Sequence, residues 1–393
     1  MRPWPGLRAR YSLALGLPAF ARQSRAISAR LRLAARRTAC LAPRRPTVVG
    51  LLAVPLLACQ SVGVSKAEIP AEPIAFNYRT PEEARRRAEA YKDEQNAEIE
   101  AVRQQLLSAG QLPPTGEMHS SADHLKSYVA QVLGHKPQQE EQSPGRLALL
   151  DPRTRQVSLV GAARRGSIPL EWSPDHNRLL FAQPGERDFQ VYEYDRERGT
   201  VRPVTHGPTA YSEACYASEG RVVATAFDVS GDTSRSRIEI SRPGGGGPFE
   251  PLTDWGVEYA PSCAPDGHSV VWTRDYPDGR SELRLLVLEP RAQIVALAPG
   301  RQARFSADGA WIVYTALVNK DWRIWRMRAD GSSRARIGSS ERSEARPTLS
   351  PDGRFVAYVA SESPPRRYLY LRRFDGSGDM ILFADGDGEN PVW

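Results

Sequence analysis

Between residues 145 and 393 apolar and polar positions alternate with period two, and no helical period fits this part of the chain. The runs FQVYEYD (Phe189–Asp195), RIWRMRAD (residues 323–330) and RYLYLRRFDG (residues 367–376) each predict a strand with one buried and one solvated face. Shorter segments such as RPVTHG (202–207) and EPLTDWG (250–256) predict a closing strand after each run.

A longer period overlies the short one. WSPDHNRLLF from Trp172, YASEGRVVAT from Tyr216, CAPDGHSVVW from Cys263, FSADGAWIVY from Phe305 and LSPDGRFVAY from Leu349 align on one template, with starts 44, 47, 42 and 44 residues apart. In the template a strand ends on an apolar residue, and Pro-Asp-Gly then makes a tight turn: Pro fixes φ, Asp bonds its own backbone and Gly accepts positive φ. The second copy departs most, with Ser218-Glu219-Gly220 at the turn. Four short strands recurring every 42 to 47 residues are what a β-propeller blade requires.

On these motifs the chain resembles the TolB-type propellers, relatives of the WD-repeat proteins, over residues 145–393. The resemblance implies an all-β, six-bladed β-propeller that binds partners in a system linking membrane to cell wall. TolB itself is a soluble periplasmic protein with an α/β N-terminal domain, whereas helices alone are predicted before residue 145 here. ENPVW (389–393) falls 44 residues after the fifth copy and reads as the innermost strand of a sixth blade, with GRLALLDPRTRQVSLV (145–160) supplying its outer strands. Velcro-type closure of that kind leaves neither sheet end as an open edge. No second strand for the shared blade is evident.

Upstream, Thr80, Pro81 and Glu83 form a capping box that predicts a helix to about residue 109, the start of a short helical N-terminal extension. Its narrow stripe (Ala84, Ala88, Tyr91, Ile99, Val102, Leu106) suits a surface helix lying on the domain, or a coiled coil or partner helix. A second helical period covers SADHLKSYVAQVLG (121–134), and a polar linker follows to residue 144. Residues 59–80 read as a flexible tether.

Residues 1–58 carry eleven arginines and no acid, and without them 42 basic residues face 46 acidic ones. The net charge of +7 is thus a property of the leader, and a nucleic-acid partner is not expected. The apolar run 47–58 is too short to span a bilayer and matches the core of a secretory signal. Its end, Leu56-Leu57-Ala58-Cys59, resembles a bacterial lipobox, which implies acylation of Cys59 and anchoring in a membrane; an ordinary signal peptide cleaved nearby is the alternative. Gln60 after the cysteine implies, in that resemblance, the outer membrane.

Familiar catalytic motifs and cysteine pairs at metal spacing do not occur, and the six histidines are scattered. DGDGEN (385–390) lacks the twelfth-position Glu of a calcium loop. No cofactor is expected. Glu258, Glu344 and Glu389 each precede the proline of an innermost strand by two or three residues, where they would either ring one channel mouth and bind a cation or basic peptide, or be solvated loop acids. Cys215 and Cys263 sit in non-equivalent registers of adjacent blades, which suggests that they point apart as buried apolar residues, although an oxidising compartment permits a disulfide. The expected function is a monomeric, non-catalytic, membrane-tethered scaffold for an envelope protein or peptide. The alternative is a propeller enzyme, lyase or glycan-cleaving, or a small-ligand binder at the channel mouth.

Overall fold

A computed structural model describes residues 63–108, 144–185, 188–228, 235–244, 247–287, 293–338, 341–361 and 365–393. The leader, Cys59, the second helical segment and most of the polar linker lie outside the described residues.

Six four-stranded antiparallel sheets form the ring. Blades 1 to 5 start at Ile168, Ala210, Glu258, Arg301 and Glu344, and in each the strands follow sequence order from the axis outwards. The template turn explains why each blade folds locally. Ser350 Oγ donates to Asp352 at 2.6 Å and accepts the Phe355 N–H at 2.9 Å, so the strand that follows starts from a fixed point. Ser173 and Ser306 do the same with Asp175 and Asp308. These hydrogen bonds hold the Asp175 and Asp308 carboxyls below the usual carboxylate range. Gly267, Gly309 and Gly353 occupy the left-handed position of the turn, and His176 takes it in blade 1 with φ 54°.

The sixth blade corrects the expected boundaries. Residues 74–79, read as part of a flexible tether, are the second strand of the closing blade, so its order is Asp387–Val392, Ile74–Arg79, Arg146–Leu150, Val157–Leu159. The helix Pro81–Ser108 is therefore inserted between the second and third strands of a blade and does not precede the ring. Ile74, Ala75 and Phe76 are fully buried, and Ile69 and Phe76 share a cluster with Phe355, Leu369, Phe383 and Trp393. Trp393 donates its indole N–H to the Glu72 carbonyl at 2.9 Å, and Trp172 donates its own to Val392 at 3.2 Å. Burying large apolar side chains on both sides of the seam contributes about 1.5–3 kcal/mol per residue, which makes closure a packing event as well as a hydrogen-bonded one.

The helix begins as its capping box predicts: Thr80 N–H donates to Glu83 at 3.0 Å and Glu83 N–H to Thr80 Oγ1 at 3.3 Å. Ala84 is fully buried, but residues 92–97 are exposed, so the helix docks by its first turns and then leaves the surface.

Cys215 and Cys263 form a disulfide, with Cα atoms 5.6 Å apart. The register argument that would separate them fails for a geometric reason. Facing blades present opposite faces of the same repeat, so residues in contact between neighbours must differ in parity. Ala214 packs toward blade 1, Cys215 toward blade 3, and Cys263 back toward blade 2.

Candidate functional site: the central channel and its rim

Each innermost strand carries a register shift near its middle, at Pro169/Glu171, Tyr211/Ala214, Tyr259/Ser262, Arg301/Arg304 and Ala345/Thr348 in blades 1 to 5. In blade 6 the shift lies in the pairing of the innermost strand with Ile74–Arg79. Four of these strands place a non-glycine residue in the left-handed region there: Ala260, Gln302, Arg346 and Asn390, with φ of 52–58°. A bulge re-aims side chains, and Glu171 and Arg304, one position before the template residue, and Glu213 and Arg346, three before it, meet between opposite blades.

The consequence is that two acid–arginine pairs cross between opposite blades. Glu171 of blade 1 meets Arg304 of blade 4 at 3.2 Å, and Glu213 of blade 2 meets Arg346 of blade 5 at 3.7 Å. Gln302 accepts the Arg346 N–H at 3.0 Å, and Glu213 also accepts the Ala260 N–H. Enclosure pushes the Glu171 carboxyl up to about 8, against the opposing pull of Arg304, whose own guanidinium is moved below its ordinary range by the same burial.

At the end of the ring where the innermost strands begin, Tyr259 donates to Asp275 at 3.2 Å and the Arg301 guanidinium lies 3.5 Å from the Trp322 ring centroid. Beside them Val257 is 41% exposed and Leu317, opposite Trp322 in its hairpin, is 57% exposed. The inserted helix starts at this same end, where the second strand of the closing blade stops.

Glu258, Glu344 and Glu389 lie at this rim, and all three are buried and paired with arginine rather than solvated. Glu258 is 1% exposed, receives the Trp272 indole N–H and pairs with Arg274 at 2.9 Å; burial raises its affinity for a proton. Glu344 is as deeply buried, accepts the Ile324 N–H at 3.0 Å and pairs with Arg372 at 2.7 Å. Glu389 lies between Arg367, Arg79 and Arg87 at 3.0–3.3 Å. Burial would raise its pKa, but those cations together leave it lowered. Their place at the outset of the strand, before the bulge, turns them between strands and blades.

The channel residues that sequence reasoning missed had a signal. Glu171 and Arg304, like Glu213 and Arg346, are both 133 residues apart, three repeats, which in a six-membered ring is the opposite blade. Among the described residues no group of three or more His, Cys, Asp or Glu is arranged to hold a metal.

The ring of six four-stranded sheets defines a six-bladed β-propeller. Comparison with known proteins finds the same fold in TolB structures and local sequence similarity to a TolB homologue. It is 29% identical over 122 residues to a TolB homologue of Chlorobium luteolum, covering 30% of this chain and 27% of that protein. It is 26% identical over 276 residues to an uncharacterised protein of Agrobacterium fabrum, covering 63% and 87%. An uncharacterised peptidase of Bacillus subtilis matches at 26% over 204 residues, 49% of this chain and 29% of the peptidase. The chain thus spans less than a third of the Chlorobium and Bacillus relatives. Among solved structures, TolB from Acinetobacter baumannii superposes with a TM-score of 0.55 at 18% identity, covering 72% of this chain and 74% of that one. A TolB-type structure from Agrobacterium tumefaciens gives 0.53 at 22% identity, covering 64% and 92%. No family profile matches.

Proposed function

We propose that the chain is a non-catalytic protein-interaction scaffold, tethered to a membrane of the bacterial cell envelope through an acylated Cys59, and that its partner is an envelope protein or peptide. The TolB-like ring supports a binding role in the envelope. The Leu56–Cys59 segment supports the anchor, and the Cys215–Cys263 disulfide suits an oxidising compartment.

The observation that carries the binding reading is the contrast between axis and rim. Two acid–arginine pairs cross between opposite blades, while the rim presents exposed Val257 and Leu317 beside Trp322 and Arg301. Aromatic and arginine side chains set among exposed apolar ones have the composition of interface hot spots. The enzyme alternative drew on glutamate and histidine residues at the channel mouth, and the three glutamates there are each paired with an arginine.

The test is crosslinking and capture from the envelope fraction with wild type and Cys59→Ala, alongside labelling with a fatty-acid analogue. A reproducible envelope partner, with label and partner both lost in Cys59→Ala, supports the reading. Unlabelled protein without a partner overturns it.

A further inference from the structure

A cavity of about 460 Å³ lies between the outer end of blade 1 and blade 2, whose first and third strands and the segment leading into its fourth strand line it. Its size is that of sites for small molecules. Tyr211, Arg237, Glu239, His206, Thr209 and Phe249 line it.

Tyr211, Arg237 and Glu239 are held together before any ligand arrives. Glu239, 3% exposed, accepts the Tyr211 hydroxyl at 2.7 Å and the Arg237 Nε–H at 2.7 Å, with Arg237 Nη2 at 2.6 Å. Arg237 is also held over the Trp255 ring, 4.3 Å from its centroid. The guanidinium therefore cannot swing away, and Nη1 is the amino group left for a further acceptor. Phe249 packs against Tyr211 with ring centroids 5.2 Å apart, and it remains half-buried.

Charge decides the ligand class. A guanidinium bonded to a carboxylate is locally neutral, so the cavity has directional donors and acceptors without net attraction for an anion. A neutral ligand rich in hydroxyls, with one ring face to lay on Phe249, matches that combination.

We infer that this cavity is a binding site for a neutral saccharide of one or two rings, with Arg237, His206 and Thr209 contacting hydroxyls and Phe249 supporting a ring face. The saccharide site is lined by blades 1 and 2 and the proposed partner-binding rim by blades 3 and 4, and each is tested by its own probe, so either proposal can fail without the other.

The test is titration calorimetry of the full chain with cellobiose, maltose and chitobiose, and with galacturonate and inorganic phosphate as anionic probes. At least one neutral disaccharide is expected to bind. Phe249→Ala and Arg237→Lys should each weaken it about tenfold or more, and His206→Ala, at an exposed position, by a few fold. Thermal unfolding of each variant checks that the ring stays folded, and the His206 and Phe249 variants keep the test decisive if Arg237→Lys does not fold. Heats from the anions alone, no heat from any of the disaccharides, or equal affinity in all folded variants overturns the inference.

Discussion

Glu171 and Arg304 lie on opposite blades and meet at 3.2 Å across the axis of the ring. Removing either partner has unequal consequences. Without Arg304, Glu171 can stay protonated in a site that already favours its neutral form, whereas without Glu171 the guanidinium of Arg304 cannot shed its charge. Urea unfolding above pH about 8, where the wild-type Glu171 is ionised, should show Glu171→Ala costing about 1–3 kcal/mol more than Arg304→Ala, the range for an uncompensated charge partly reached by solvent. Equal losses would mean that the pair is solvated like a surface one.

The same enclosure predicts a pH slope. The folded Glu171 carboxyl holds its proton up to about 8, against 4.5 as its ordinary value, so between those values the folded state binds more protons than the unfolded one. Its contribution is fully present below pH about 4.5 and is lost as pH rises through 8. Glu171→Gln cannot titrate, and the stability difference between wild type and this variant should move steadily against wild type across the window. A constant difference contradicts the assignment.

Closure by a strand from upstream of the helix makes residues 74–79 part of the ring's stability. Phe76→Ala should cost about 3–5 kcal/mol, as large-to-small changes in full burial do. Amide exchange should accelerate first in residues 387–392 and 146–150, its two partners in the sheet. Unchanged exchange there would show that blade 6 does not depend on it.

The disulfide between blades 2 and 3 closes a separation of 48 residues. A loop of that size is worth about 4 kcal/mol in the chain-entropy picture, so Cys215→Ser with Cys263→Ser should lower stability by roughly that amount. Reductant should depress the wild-type melting temperature toward that of the double variant and leave the variant itself unmoved.

Much of the ring was legible because its logic is local. The turns at Ser173, Ser306 and Ser350 repeat in sequence, and each builds its own hairpin through a serine hydroxyl and an aspartate two residues on. The missing strand of blade 6 was not legible. IAFNYR is short, stands between a proline-containing stretch and a capped helix, and pairs with a strand that begins 67 residues after it ends. The disulfide was misjudged through the same non-local geometry, since facing blades demand opposite parity. The glutamates at the rim were placed at the right end of the ring, but their burial follows from a bulge that no spacing in one repeat reveals. The opposite-blade charge pairs could have been found by comparing repeats three apart.

The central claim, that the rim where the innermost strands begin holds an envelope partner, is tested most directly by photocrosslinking in cells. A photoreactive residue is introduced at Val257 or Leu317 on that rim, and at Asp266 or Asp352 on the turns of the opposite face. Adducts to one envelope protein at positions 257 and 317, absent at 266 and 352, are the predicted result. Adducts confined to the opposite face, or none at any position, would contradict it.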